Sequence, residues 1–192
     1  MSKAVANQEL AKSEGAARTV SHQSTLGLLV RGKNINETTL LATDYLNHFN
    51  EIIMVLELVP DMPDCLDEAR EWAPKSYQEH FRDSAFTDKD LAILAYENAP
   101  EAYKLPFDQT VDRMNRLVEQ GLQEITNKSE AGDESALRVS VEVLSRRLRD
   151  LIDGASAIIN GHKQAGYEDD DDQDASGQEQ LSSQDEIDKL FD

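Results

Sequence analysis

Apolar residues recur at helical spacing over three long stretches of the chain. Ala42, Leu46, Phe49, Ile53 and Leu56 fall 4, 3, 4 and 3 residues apart, and Leu41, Tyr45 and Ile52 widen the stripe. Such spacing keeps side chains on one face of a helix. Asn34 and Glu37 stand at capping-box spacing, so the first helix is predicted to start at Asn34 and end at Val59. Beyond Val59, Pro60 and Pro63 remove backbone donors and clash with the preceding turn. A second stripe, Phe107, Val111, Met114, Val118, Leu122 and Ile125, opens at Pro106, whose fixed φ suits a first helical turn. Gly121 lies inside it at a cost in helix propensity. The third and most regular stripe is Leu137, Val141, Leu144, Leu148, Leu151, Ala155 and Ile158, spaced alternately 4 and 3.

Between Asp61 and Pro106 the prolines leave room only for short helices, near Asp64 to Trp72, Ser76 to Phe81 and Asp88 to Asn98. Ser76 with Glu79 makes a further cap. No segment alternates apolar and polar residues long enough for a strand. The predicted fold is therefore all-α, an antiparallel helical bundle over residues 34–162 in which each stripe buries against the others. The 3.5-residue period of Leu137 to Ile158 also suits the seam of a homodimer, but packing within the chain is favoured, because a stripe in an ordinary bundle has the same pattern. Residues 1–33 hold one apolar island, Leu26 to Val30, and no sustained period, and are expected to be mostly disordered.

Charge narrows the partners. The chain has 19 Lys and Arg against 38 Asp and Glu, a net charge of −19, which argues against binding nucleic acid. Eleven of the acids lie between Gly166 and Asp192 with only Lys189 opposing them, so this tail carries −10 and the rest −9. Cys65 is the lone cysteine, which rules out an internal disulfide or a thiolate metal framework. The longest apolar stretch, Ile52 to Val59, is broken by Glu57 and falls far short of the ~20 residues that cross a bilayer. Without a segment resembling a secretory signal near Met1, a cytoplasmic location without membrane insertion is expected.

After Gly161 the helical period stops. Residues 163–181 read as an acidic flexible linker held extended by self-repulsion. A calcium loop starting at Asp170 would need Gly at Ala175 and Glu at Leu181, so that reading fails. Order is expected to return over residues 182–192. Ser183, Gln184, Asp185 and Glu186 form a capping box; Ile187, Leu190 and Phe191 then share one face, with Asp185, Glu186 and Asp188 along its flank.

The run Ser183-Gln184-Asp185-Glu186-Ile187-Asp188-Lys189-Leu190-Phe191 resembles the CheY-binding peptide of the flagellar switch protein FliM and that of the chemotaxis phosphatase family CheZ. The resemblance covers about ten of the 192 residues. It implies a helix laid on the α4-β5-α5 face of a CheY-like receiver domain, with Ile187, Leu190 and Phe191 in an apolar groove and the acids toward basic residues.

The body offers no matching catalytic site. The dephosphorylation motif of the CheZ family resembles Ser-Phe-Gln-Asp-x-Thr-Gly-Gln, an acid with a Gln that orients the attacking water. Ser76-Tyr77-Gln78-Glu79 echoes its opening, and so does Phe107-Asp108-Gln109-Thr110, but Asp83 and Asp112 stand where the second Gln is required. A carboxylate there cannot donate the amide hydrogen bond and would repel a phosphoryl group. Glu124 and Asn127 have the Glu-x-x-Asn spacing of the CheC and CheX phosphatases, a spacing common on polar helix faces. His22, His48, His80 and His162 lack the exposed mid-helix, lysine-flanked setting of phosphotransfer, and none are paired at i, i+4 for zinc. Trp72, Tyr77, Phe81 and Phe86 are expected to form core or to line a pocket. The expectation is a non-enzymatic adaptor or regulator, without cofactor or metal, that captures phosphorylated CheY-like receivers through its tail. The alternative is a divergent CheZ-like phosphatase using the same peptide.

Overall fold

A computed structural model of the protein describes residues 22–162. Every regular element among them is helical: α1 over 22–29, a 3₁₀ turn Thr43–Leu46, α2 Asn47–Leu58, α3 Cys65–Arg70, α4 Tyr77–Asp83, α5 Lys89–Glu97, α6 Glu101–Glu130 and α7 Glu134–Ile159. No described helix is long and apolar enough to cross a membrane. The expected linker and the peptide at 182–192 lie outside the described residues, as do residues 1–21.

The third stripe works as its period predicts. Leu137, Val141, Leu144, Leu148, Ala155 and Ile158 are all buried, and α7 packs lengthwise against α6 across a turn in which Gly132 takes φ +68°. Asp133 caps α7 by accepting a 3.0 Å hydrogen bond from the Ala136 N–H. α2 covers α7 in the opposite sense, since Glu57 pairs with Arg149 and Asp61 with Arg138. The stripe is thus consumed within one chain, and a dimer seam along it would require the body to open.

The first helix differs from its prediction. Residues 34–42 form a loop, in which Asn36 closes a turn: its Oδ1 accepts from the N–H groups of Thr38 and Thr39 at 2.9 and 3.0 Å, and neither the 3₁₀ turn nor α2 has a side-chain cap. Leu40 takes φ +60°, a conformation that L residues adopt at roughly 1–2 kcal/mol and that no helix can run through. Burial of Leu40, Leu41 and Ala42 at 1% exposure or less offsets that strain. Thr39 Oγ1 then donates 2.7 Å to the Ile159 carbonyl, tying this loop to the end of α7.

Two further corrections concern termini. Residues 22–29 are helical and place Leu26 and Val30 at 2% and 0% exposure, so the packed body begins ahead of residue 34 and the apolar island belongs to the core. α6 starts at Glu101 after Pro100, five residues before Pro106. Pro106 therefore sits inside the helix, where the bond it fails to make is the one to the Ala102 carbonyl, while Thr110 Oγ1 donates 2.8 Å to the Pro106 carbonyl. The Ser76–Glu79 box forms as read, with Glu79 N–H donating to Ser76 Oγ at 3.2 Å and Ser76 N–H to Glu79 Oε2 at 2.9 Å.

Candidate functional site

The short helices and the start of α6 meet over an aromatic cluster. Tyr77 stacks between Tyr45, 5.2 Å away, and Tyr96, 4.2 Å away, and Phe107 meets Tyr45 edge-on at 5.8 Å. Each hydroxyl is engaged. Tyr45 Oη donates 2.7 Å to the Lys75 carbonyl, Tyr77 Oη accepts 2.9 Å from the Ala42 N–H, and Tyr96 Oη donates 2.9 Å to Asp108 Oδ1. Burial raises the pKa of all three phenols, so they remain neutral donors and acceptors.

Beside this cluster opens a cavity of about 340 Å³, walled by Tyr45, Tyr77, Tyr96 and Phe107 and carrying Asp108, Asp112 and Asn115. Its polar side comes from one face of α6, because residues 108, 112 and 115 are one helical turn apart. Desolvation holds the Asp108 carboxyl above the usual range, and the nearby Asp112 charge acts in the same direction; the Tyr96 hydrogen bond and Lys104 oppose them. Lys104 Nζ lies 4.2 Å from the Tyr96 ring centre. Asn115 Oδ1 is buried without a hydrogen-bond partner. Aromatic walls with two carboxylates suit a cationic group, which gains both charge and ring-face attraction.

The structure brings the two echoes of the dephosphorylation motif together, since Ser76 and Tyr77 line the same cavity as Asp108 and Asp112. Glu79 does not join them: it is spent on the cap of α4, and its hydrogen bonds from Ser76 hold its carboxyl below the usual range. Asp83 pairs with Lys75 at 2.9 Å. Glu124 accepts from Ser140 at 2.7 Å and Asn127 from Gln123 at 3.2 Å, so that pair is occupied within the helices. Asn115 was not singled out from the sequence; its placement three residues after Asp112 was the available signal.

The histidines divide by burial. His48 is 6% exposed, stacks on Trp72 with centroids 4.9 Å apart, and leaves Nε2 without a partner. Desolvation lowers its pKa to about 4, helped by His80 and Lys75. His80 borders a broader, open cavity of about 630 Å³ that also holds Asp44, Glu51 and the Lys33–Asp88 ion pair. Phe81 is core, Trp72 and Phe86 pack against the core, and only Phe86 lines this second cavity. No group of three or more His, Cys, Asp or Glu among the described residues is arranged to hold a metal ion.

The predicted partner-binding residues, Ser183, Gln184, Asp185, Glu186, Ile187, Asp188, Leu190 and Phe191, lie outside the described residues. Compared with protein-family models, curated proteins and solved structures, the chain matches none.

Proposed function

We propose that the protein is an adaptor of chemotaxis or flagellar signalling that captures a phosphorylated CheY-like receiver domain through Ser183–Phe191. The observation that carries this reading is the segment itself: a complete capping box, an apolar triad at i, i+3 and i+4, and flanking acids, resembling known receiver-binding peptides at nearly every position. A cytoplasmic body, packed as an antiparallel bundle, holds the peptide on an acidic linker over residues 163–181. Burying Ile187, Leu190 and Phe191 yields roughly 5–9 kcal/mol gross, offset by ~2–5 for ordering, so capture is weak and reversible. Titrating a phosphorylated receiver into the full chain and into a chain ending at Glu179 tests it; equal binding by both would remove the peptide from the account.

One observation favours a second reading, a CheZ-like phosphatase. Asp112 and the Asn115 amide line one cavity with Ser76 and Asp108, which puts an acid and an amide side by side. An acid could engage a receiver cation while the amide orients a water. Phosphate release accelerated by the wild-type chain and lost in Asn115→Ala would establish this reading; release at the spontaneous rate would dismiss it.

A further inference from the structure

We infer that the outer groove of the α6–α7 hairpin is a seat for the chain's own C-terminal segment, Ser183–Phe191. The groove consists of two adjoining hollows of about 380 and 220 Å³ that share Leu117, Gln120 and Arg147. Leu144 and Leu151 of the α7 stripe line it together with α6 residues, and two further features mark it.

The first is uncompensated positive charge. Arg113, Arg116 and Arg147 line one hollow, and none of them pairs with a carboxylate among the described residues. Of the other described arginines, Arg31, Arg70, Arg138, Arg146 and Arg149 each have an acidic partner, while Arg82 has none but stands alone on α4. In a chain of net charge −19, three guanidinium groups lining one hollow, with Glu124 of the adjoining hollow already engaged by Ser140, favour an added anion. The second is apolar surface in line with that charge. Val139 and Val143 are 58% and 40% exposed and precede Arg147 at four-residue steps along α7, beside Leu117. A small inorganic anion would leave the valines uncovered, and a nucleic acid would meet the chain's overall negative charge.

The C-terminal segment matches both features. Asp185, Glu186 and Asp188 supply the opposite charge, and Ile187, Leu190 and Phe191 supply an apolar face of the same small size. Chain length permits the return. Arg147 lies twelve residues before the end of α7 at Ile159, about 18 Å at ~1.5 Å per residue, and Val139 lies about 30 Å back. Residues 160–182 would span roughly 25 Å as an uncharged coil, at ~5–6 Å times the square root of their number, and more with their acids repelling one another, so the tether reaches the whole groove. The tether thus holds the segment near the groove at a high effective concentration.

The docking itself needs no receiver. Its regulatory consequence rests on the reading proposed above: a seated segment is withheld from the receiver, and capture becomes an exchange between two apolar grooves.

The test uses the full chain with Cys65→Ala and Asp192→Cys, a nitroxide on the new thiol, and amide signals read by NMR. The expected result is selective loss of signal at Leu117, Gln120, Val143 and Arg147, with α2 and α3 unaffected. Combined Arg113→Glu, Arg116→Glu and Arg147→Glu should restore those signals without changing the melting temperature. Adding Asp185→Lys, Glu186→Lys and Asp188→Lys to that variant should bring the loss back. Broadening spread evenly over the body, or indifferent to the arginine reversals, overturns the inference. So does broadening of isotope-labelled chain that lacks the nitroxide when mixed with unlabelled chain that carries it, since the seat would then belong to a second copy. Receiver domain added afterwards tests the earlier reading separately: failure to displace a docked segment counts against receiver capture and leaves the seat standing.

Discussion

A Cβ placed on Gly121 would stand 2.4 Å from Cδ2 and 2.7 Å from Cδ1 of Leu144, closer than any real carbon contact. The glycine that weakens the α6 pattern is therefore a point of close approach between α6 and α7, and Leu144 fills the space that its missing side chain leaves.

Gly121→Leu is expected to destabilise the protein by about 1–3 kcal/mol through overpacking. Helix propensity alone predicts the opposite sign, because Leu is favoured over Gly by nearly 1 kcal/mol. Chemical denaturation distinguishes the two, and a stabilised variant would mean that Leu144 moves aside freely.

Thr39→Val should lower stability by about 1–3 kcal/mol, since it leaves the buried Leu41 N–H and the Ile159 carbonyl without the hydroxyl they share. The volume is nearly unchanged, so the loss reports the polar tie between the residue 34–42 loop and the end of α7. An unchanged midpoint would show that this tie contributes nothing.

The His48 imidazole goes from an ordinary value of 6.5 to about 4 on folding, so between those values the unfolded chain binds the extra proton. Stability should then fall as pH drops from about 6.5 to about 4 and level off below, by at most about 3 kcal/mol from this group. His80 is lowered too and adds in the same direction. His48→Phe keeps a ring against Trp72 and should flatten the slope. Unfolding midpoints across this range check it; parallel curves for both proteins would contradict the assignment.

Asp108 has the opposite sign. Its folded carboxyl is held above the unfolded value, so the native state prefers the protonated form and stability declines as pH rises through that range. At neutral pH Asp108→Asn removes the buried charge yet still accepts from Tyr96, and its melting temperature should exceed that of the wild type. A lower melting temperature would mean that the Tyr96–Asp108 bond outweighs desolvation.

The heptad of α7 was legible because burial, period and the Asp133 cap all agree on it. The start of α6 was not, because Pro106 reads locally as a beginning while packing carries the helix back to Glu101. The residue 34–42 loop is hidden for a similar reason: Asn34 and Glu37 have the right spacing, but the Leu40 turn depends on burial that no local pattern announces. Of the candidate site, Tyr77 and the two echo motifs are visible in the sequence, whereas Trp72, Phe81 and Phe86 lie elsewhere in or against the core. The convergence of the two motifs on one cavity is not visible there, since it needs helices α4 and α6 in register. The ion pairs that bind α2 and the turn after it to α7 join residues 92 and 77 positions apart and leave no trace in sequence spacing.

The central claim is that Ser183–Phe191 captures a receiver, and the most direct measurement is equilibrium binding of a phosphorylated CheY-like receiver to the full chain and its Phe191→Ala variant. The account predicts at least a tenfold weaker variant, about 1.4 kcal/mol or more for loss of one buried aromatic anchor, with Asp188→Asn weaker by less. Association of the wild type should slow as salt rises, because the −10 tail steers the encounter. Equal affinity for Phe191→Ala and the wild type, with association indifferent to salt, would contradict it.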